Sequence, residues 1–307
     1  MIDRSFEALG TTVRVIVDAP DAAERAAEAE ALILDHDRRL SRFRPGSELC
    51  GLNADPRSEV PASALLRGAV AAALEAANLS GGLVDPTLLD ALERAGYTRS
   101  LAGGGPSRFR RAEPKGPTTP ATPDPSQRWR EVPTAAARPD PEARWREISV
   151  TDTTIRRPPG LRLDLGGSGK GHAADLVATR VLEGARRWAI DAGGDLRVGG
   201  TDATPQTIEV EHPHRITEPV ARLHLEAGAV ATSSTHARAW TTADGERRHH
   251  LLDPATKRPV HSGVISATAT AATVLEAETR AKVALLTGAP TDGTAVLILD
   301  DGSVRRP

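Results

Sequence analysis

A short glycine-rich segment with a single lysine is the first candidate for chemistry. Residues 164–171 read DLGGSGKG and lie between an apolar run and a helical pattern. Glycines between a strand and a helix allow backbone amides to approach an anion, and Lys170 could pair with a phosphate group. The segment is not a P-loop, because Asp164 and Gly171 stand where that motif requires a glycine and a serine or threonine. Spacing alone leaves two interpretations open, an anion-binding turn and an ordinary tight turn.

Two adjacent histidines form the second candidate. Residues 248–254 read RHHLLDP. Neighbouring residues of a strand point to opposite faces, so His249 and His250 cannot easily bind one metal ion, and we expect one of them to face solvent. The other could lie near a carboxylate and transfer protons. The alternative is a histidine with a purely structural role beside the turn formed by Asp253 and Pro254.

Two further clusters have structural explanations at this level. Residues 81–87 read GGLVDPT, in which Asp85 would cap a helix that begins at Pro86. Glu278 and Lys282 lie one helical turn apart and would form a weakly stabilising ion pair on the surface of a helix.

Interleaved strands and helices must position these candidates. Apolar periodicity and end signals predict helices at about 21–40, 62–79, 86–96, 171–183 and 275–287. Strands are predicted at 11–17, 148–150, 161–165, 188–191, 207–211, 221–225, 229–232, 264–271 and 294–299. Because several strands follow one another without a helix between them, the pattern favours an α+β fold, with a mixed or antiparallel sheet flanked by helices.

Composition excludes several classes of protein. The chain has 307 residues, with 39 lysines and arginines against 41 aspartates and glutamates, so its formal net charge is -2. This balance argues against a nucleic-acid-binding surface, which needs a surplus of positive charge. The single cysteine, Cys50, excludes an internal disulfide and a cysteine-based metal cage. No run approaches the ~20 apolar residues that span a membrane, and residues 1–17 lack a secretion-signal pattern, so we expect a cytoplasmic protein.

Prolines are concentrated in one stretch, residues 103–141. Each proline removes a backbone donor, and large apolar side chains are too few there to offset the entropy of ordering. The decapeptide at 123–132 recurs in similar form at 139–148, which indicates a small duplication rather than a repeat architecture. We therefore predict one domain over residues 1–307, with a flexible, dispensable insert at about 103–141.

The order of the motifs resembles the FAD:protein FMN transferase family, also called the ApbE family. The matches span about residues 6–288. They are FEALGT at 6–11, LSRFRPGSEL at 40–49, GGLVDPT at 81–87, DLGGSGKG at 164–171, GGD at 193–195, ATS at 231–233 and HLLDP at 250–254. Each match is weak alone, and their shared order makes the resemblance specific.

The resemblance implies a fold like that of the family and a function. Members of the family use Mg²⁺ to cleave the pyrophosphate of FAD, and they transfer FMN to a Ser or Thr hydroxyl of an acceptor protein with release of AMP. The implied partners are therefore FAD and an acceptor protein, with no nucleic acid and no membrane span. Such a reaction needs positioning and neutralisation of phosphate charge rather than a nucleophile from the enzyme.

The resemblance also implies roles for individual residues. Leu9 takes the place of a methionine beside the flavin, and Phe43 takes the place of the aromatic residue that stacks on it. Asp164 is implied to contact the nucleotide together with Lys170. The residues implied on the adenosine side are Leu83, Val84 and Asp85. The residues implied in the reaction are His250, Asp253 and Lys170.

The implied metal site departs from the family pattern. The backbone carbonyl of Gly167 falls where the family coordinates Mg²⁺, while Glu278 and Lys282 replace its Asp and Thr side-chain ligands. A glutamate can ligate Mg²⁺, but a charged lysine cannot and would repel it. Either Glu278 neutralises Lys282 in a salt bridge that closes the site, or the metal shifts toward Gly167 and the phosphates of FAD. We expect weak or absent Mg²⁺ binding at Lys282.

Three functions stay open on the sequence. The leading hypothesis is an FMN transferase that acts on a protein acceptor. The second is an FAD pyrophosphatase, in which water replaces the acceptor hydroxyl and FMN and AMP are released. The third is a non-catalytic FAD-binding protein with a degenerate metal site, which the Glu278–Lys282 pair favours.

Overall fold

The computed structural model describes residues 1–100, 134–213, 215–242 and 245–306. Most of the predicted insert, up to residue 133, therefore lies outside the described residues. The helices of the described part are α1 Ala22–Leu40, α2 Glu48–Ala54, α3 Ala64–Leu79, α4 Leu89–Arg94, α5 Gly169–Val177 and α6 Val274–Thr287. A 3-10 turn lies at Arg144–Glu147, and a π-helical turn at Ala178–Leu182 extends α5. None of the described helices combines the length and apolar character needed to cross a membrane.

One antiparallel sheet forms the centre of the fold. Its strands, labelled β1 to β8, follow one another across the sheet in chain order. They are β1 Ile2–Ala8, β2 Thr11–Asp18, β3 Arg187–Ala192, β4 Leu196–Gly199, β5 Gly228–Ser234, β6 Val264–Ala271, β7 Thr294–Leu299 and β8 Val304–Arg305. Each neighbouring pair is antiparallel. The predicted α+β class with an antiparallel sheet is therefore confirmed.

Alternation along β2 explains how the sheet packs against the helices. Val13, Val15 and Val17 are fully buried, whereas the residues between them are only partly buried. Successive side chains of a strand point to opposite faces, so these valines share one face of the sheet. They belong to one core cluster with the alanine-rich faces of α1 and α5 and the start of α6. Burying each valine side chain contributes ~1.5–3 kcal/mol, so this alternating pattern fixes the orientation of β2.

A long hairpin covers the opposite face of the sheet. Its strands, Gln206–His212 and Arg215–Leu225, pair antiparallel, and Ile208 packs with Leu196 and Val230 of the sheet. Smaller ladders lie outside the sheet: Glu59–Pro61 and Ser149–Val150 on either side of Thr154–Arg156, Ala239–Thr241 with Arg247–His249, and Leu252–Asp253 with Arg258–Pro259.

The strand predicted at 161–165 is wrong. This segment joins no sheet in the part of the chain that the structure describes. The side chain of Asn53 takes the role of a neighbouring strand, because its Nδ2 donates to the carbonyl of Leu163 at 2.9 Å and its Oδ1 accepts from the Leu163 N–H at 2.8 Å. An apolar run can therefore be held by one amide side chain instead of a ladder.

The last residues of the predicted insert, from 134 on, pack against the rest of the domain. Ala137 is buried, and its N–H donates to the carbonyl of Leu286 at 2.8 Å. The Arg138 N–H donates to Asp253 Oδ1 at 2.9 Å. The backbone at Ala137 and Arg138 is therefore held by other segments of the domain.

The contact between α5 and α6 depends on a glycine. A Cβ on Gly171 would lie 2.8 Å from Glu278 Oε2 and 2.9 Å from the backbone of Leu275, whereas a Cβ on Gly169 would lie 3.9 Å from His36. Gly171→Ala should therefore lower the free energy of unfolding by ~1–3 kcal/mol through overpacking. Gly169→Ala on the same helix is the matched control and should be neutral or slightly stabilising. Urea denaturation of the FAD-free variants measures both, and equal stability of the two would contradict close helix contact at Gly171.

Candidate active site

A cavity of about 560 Å³ collects most of the predicted site residues. The turn between β1 and β2, the end of α1, the segment before α4, the start of α5 and one face of α6 contribute to its wall. The predicted residues that line it are Leu9, Phe43, Leu83, Val84, Asp85, Asp164, Gly167, Lys170, His250 and Lys282. Asp253 and Glu278 are not part of the wall.

Leu9 is held in this wall by an unusual backbone conformation. Its φ is 57°, and that of Gly10 is 69°, so both central residues of the hairpin turn are left-handed. Such a turn matches the twist of the two strands that it connects. The Leu9 N–H donates to Asp37 Oδ1 at 3.1 Å, which fixes the turn against the end of α1. A strained non-glycine residue kept at a cavity wall is typical of a functional position.

Aromatic rings form one side of the cavity. Phe43 meets Tyr97 edge-on, with ring centroids 5.5 Å apart, and Tyr97 stacks on Trp240 at 5.4 Å. The guanidinium of Arg42 lies 4.1 Å from the centroid of Phe43 and 4.6 Å from that of Tyr97. Arg42 therefore covers one face of Phe43, and a flat ligand ring would have to use the other face.

Arg42 also forms a buried salt bridge with Asp164. Arg42 Nε lies 2.6 Å from Asp164 Oδ2, and the two side chains are only 8% and 9% exposed. The other oxygen of Asp164 accepts the backbone N–H of Gly166. This pair thus links the loop after α1 to the glycine-rich turn, which is the local reason why that turn faces the cavity.

The segment from Leu83 to Asp85 presents an unsatisfied polar atom. Asp85 Oδ1 accepts hydrogen bonds from the N–H and the hydroxyl of Thr87 at 2.8 and 2.6 Å, which replaces the predicted helix cap, and α4 begins only at Leu89. Asp85 Oδ2 is buried without a hydrogen-bond partner in the described part of the chain. Burial raises the pKa of Asp85. A hydroxyl or N–H of a bound nucleoside would satisfy this oxygen.

Two lysine side chains face the cavity, with carboxylates behind them. Lys282 Nζ lies 2.8 Å from Glu278 Oε1, and Lys170 Nζ lies 3.8 Å from the same oxygen. Lys170 also pairs with Asp195. The backbone N–H of Gly171 donates to Glu278 Oε2 at 3.0 Å. The arrangement directs positive charge toward the cavity and compensates that charge from behind.

Burial and charge act on these groups in opposite directions. Burial lowers the pKa of Lys170 to about 7, against the attraction of Glu278. Burial also lowers the pKa of Lys282, with Glu278 again opposing the change. Burial alone would raise the pKa of Glu278, but the two lysines and its hydrogen bonds lower it. Glu278 is therefore ionised and serves as the anionic partner of both ammonium groups.

These residues do not fit a divalent cation at α6. Both oxygens of Glu278 already accept hydrogen bonds, and a charged Lys282 has donors but no lone pair for a metal. Among residues 1–100, 134–213, 215–242 and 245–306, no group of three or more His, Cys, Asp and Glu side chains could hold a metal ion. The predicted salt bridge is present, but it is buried rather than on the surface: Glu278 is 1% exposed and Lys282 8%.

His249 and His250 point to different surroundings. His249 is buried, with Nε2 3.0 Å from the carbonyl of Val260, and its Nδ1 accepts the Leu251 N–H at 3.2 Å. His249 is therefore held in the interior, and of the two histidines His250 is the partly exposed one. His250 lines the cavity, and its Nδ1 lies 3.3 Å from the carbonyl of Arg238.

This contact decides which ring nitrogen of His250 carries the hydrogen. A carbonyl can only accept, so we assign the hydrogen to Nδ1, which leaves the lone pair of Nε2 free to accept a proton. Burial and then the charge of Arg238, together with His249 and Lys282, hold the pKa of His250 well below its usual 6.5. The imidazole is therefore neutral at pH 7 and has the protonation state of a general base.

Asp253 lies behind the cavity rather than in it. Its Oδ1 accepts the N–H groups of Arg138 and Ala255 at 2.9 and 3.1 Å. These bonds close the turn that follows His250 and attach it to residues 134–141. The resemblance leaves open whether His250 or Asp253 handles the proton of the acceptor, and this placement favours a positioning role for Asp253.

Almost the whole chain matches one known protein family: the model of the ApbE family aligns with residues 9–301. This chain belongs to the ApbE family. Over 88% of its length, this ApbE chain is 27% identical to the FAD:protein FMN transferase of Salmonella typhimurium, with 74% of that protein covered. Over 91% of its length it is 25% identical to the protein of the same name from Haemophilus influenzae, with 78% covered.

Solved structures share the ApbE fold described above. The crystal structure of the ApbE protein from Thermotoga maritima matches with a TM-score of 0.75 at 24% identity. The match covers 99% of this chain and 96% of that protein. The antiparallel sheet and its helices are therefore an architecture that the family shares.

Sequence reasoning missed four residues that shape this ApbE site: Arg42, Tyr97, Arg238 and Trp240. Two of them carried a usable signal, because Arg42 directly precedes Phe43 in a family motif and Tyr97 is the single tyrosine of the chain. Arg238 and Trp240 lie in a stretch without a motif, and only the fold brings them to the cavity and behind Tyr97.

Proposed function

We propose that this ApbE-family protein transfers FMN from FAD to the hydroxyl of a Ser or Thr in an acceptor protein, with release of AMP. One observation carries the proposal: a single cavity brings together the ring of Phe43, the cations Lys170, Arg238 and Lys282, and the neutral imidazole of His250. An isoalloxazine ring, a pyrophosphate and a hydroxyl group are the three partners that these side chains would serve. The names of the Salmonella and Haemophilus relatives support the same activity.

The charge of the cavity suits a pyrophosphate. Phosphoryl transfer relies on positioning and on neutralising charge at the phosphate oxygens. Lys170 at the start of α5 adds its charge to the backbone N–H groups of the helix N-terminus, and Arg238 and Lys282 add theirs from other segments. Because both Mg²⁺ ligand positions on α6 are occupied by a salt bridge, we assign no step to a metal ion.

His250 is placed to activate the acceptor. Its Nδ1–H is held by the carbonyl of Arg238, so Nε2 would take the proton of the acceptor hydroxyl as its oxygen attacks phosphorus. Asp253 would keep the turn after His250 in position through its bonds to Arg138 and Ala255. Catalysis then needs no nucleophile from the enzyme.

A non-catalytic FAD-binding protein is the second candidate, and one observation favours it. The Glu278–Lys282 salt bridge stands where the family resemblance implies metal ligands. Incubating the protein with FAD and Ser- and Thr-containing peptides separates the candidates. Covalent flavin on a peptide together with AMP supports the transferase, free FMN and AMP indicate a pyrophosphatase, and intact bound FAD indicates a binding protein.

Phe43 should contribute strongly to FAD binding. Phe43→Ala removes the ring that can stack on the flavin, and we expect FAD affinity to fall by ~1–3 kcal/mol, the range for aromatic stacking on a base. Phe43→Tyr keeps the ring and should retain affinity. Fluorescence titration with FAD measures both variants. Unchanged affinity in Phe43→Ala would place the flavin elsewhere in the cavity.

A further inference from the structure

Two features of α6 distinguish the Glu278–Lys282 pair from an ordinary helix pair. The pair is buried, and Lys282 is part of the cavity wall while Glu278 is not. The same helix carries a second pair at the same spacing, Glu276 and Arg280 at 2.9 Å, whose side chains are about 30% exposed and not part of the cavity wall. A pair that serves only the helix needs neither burial nor access to the cavity.

The contacts of Glu278 explain how Lys282 is held at the cavity wall. Its Oε1 holds Lys282 at 2.8 Å and lies 3.8 Å from Lys170, and its Oε2 is fixed by the Gly171 N–H at 3.0 Å. Glu278 therefore holds Lys282 directly and, together with Asp195, compensates the charge of Lys170 at the same cavity. A bound pyrophosphate would favour the protonated form of Lys170, and two ammonium groups side by side then form a counter-charge comparable to that of a divalent cation.

We propose that the ammonium group of Lys282, held by Glu278 beside Lys170, replaces the divalent cation as the counter-charge for the pyrophosphate of FAD. The protein would then bind and cleave FAD without a divalent metal. This inference rests on the proposed function and specifies how its charge is neutralised. It also accounts for the misfit of a metal ion at this position.

The transfer step balances without a metal. The acceptor oxygen forms a bond to the phosphorus of the FMN half, and the bond from that phosphorus to the bridging oxygen breaks. The bridging oxygen leaves on AMP with the electron pair, and the hydroxyl proton passes to His250 Nε2. Lys282 and Lys170 neutralise the negative charge of the phosphate oxygens through hydrogen bonds, without forming a covalent bond.

Titration of the full chain with FAD and with riboflavin, each in EDTA and in Mg²⁺, tests the inference. The wild-type protein should bind FAD equally well in both solutions. Lys282→Met should weaken FAD binding by about tenfold or more, the loss typical of a charge-assisted hydrogen bond. It should leave riboflavin binding unchanged, because riboflavin has no phosphate. Arg280→Met, the matched control on the same helix, should change neither affinity.

A second variant separates ligand binding from folding. Lys282→Met leaves the buried Glu278 with one partner fewer, which lowers stability. The double variant Glu278→Gln/Lys282→Met removes both charges and should show the same selective loss of FAD affinity with a thermal midpoint nearer to that of the wild type.

Two results would overturn the inference while leaving the proposed function standing. One is wild-type FAD affinity that falls in EDTA and returns with Mg²⁺. The other is FAD affinity that neither Lys282 variant changes. Failure of the wild-type protein to bind FAD in either solution would instead overturn the proposed function, and this inference with it.

Discussion

In a His250→Gln variant, FMN transfer should fall by about 10²–10⁴-fold, the usual contribution of a general base. Glutamine can still bond to the carbonyl of Arg238 but cannot take a proton from the acceptor. FAD affinity should stay close to that of the wild type, because the ring of Phe43 and the three cations remain. Rates of AMP release and FAD titrations measure the two quantities separately.

His224 provides the matched control for His250. It is exposed on the hairpin that covers the far face of the sheet, where its Nδ1 lies 3.1 Å from Thr207 Oγ1. His224→Gln should leave transfer unchanged. If His250→Gln transfers FMN at the wild-type rate, another group accepts the proton and the assignment of His250 is wrong.

An Arg42→Met variant should lose ~3–5 kcal/mol of stability, the usual effect of removing one partner of a buried salt bridge. Asp164 would remain buried without the guanidinium that lies 2.6 Å from it. The change also removes the guanidinium that packs against the rings of Phe43 and Tyr97, so Phe43 is held less firmly and FAD binding should weaken together with stability. Urea denaturation gives the free energy of unfolding, and FAD titration gives the affinity.

A neighbouring arginine and a double variant test the cause of that loss. Arg44 pairs with Asp37 at 2.6 Å, but the Arg44 side chain is 57% exposed, so Arg44→Met should cost less than ~1 kcal/mol. Adding Asp164→Asn to Arg42→Met should restore part of the lost stability, because the uncompensated charge is removed. If Arg42→Met and Arg44→Met are equally stable, the Arg42–Asp164 pair does not link the loop to the glycine-rich turn.

The sequence predicts most helices and strands of the fold because these elements depend on local patterns. Alternation predicts β2, and alanine-rich periodicity predicts α1 and α3 to within a few residues at each end. The same patterns do not predict the N-terminal strand β1, because its polar residues face solvent on an edge of the sheet. The error at 161–165 has a different cause, since no periodicity encodes the contact with Asn53.

The sequence can indicate a cavity residue when that residue's own segment places it, but not when contacts between distant segments decide its position. The segment 164–170, for example, brings Lys170 to the cavity wall at the start of α5. Asp253 lies outside the cavity because residues 134–141 capture its carboxylate, and that contact crosses more than a hundred positions of the chain. The burial of Lys282 likewise depends on α5, which brings Gly171 and Lys170 to Glu278.

The central claim is that FMN is transferred to a peptide hydroxyl rather than to water. Incorporation of ¹⁸O from H₂¹⁸O into the product phosphates tests this claim most directly. The protein is incubated with FAD and Ser- and Thr-containing peptides, and the products are analysed by mass spectrometry. Transfer predicts AMP and flavin-bearing peptide in equal amounts, with no ¹⁸O in either product, because the peptide hydroxyl is the nucleophile. Two results would contradict transfer to the peptide. One is an unmodified peptide together with free FMN and AMP, one of which carries ¹⁸O in its phosphate. The other is FAD recovered intact.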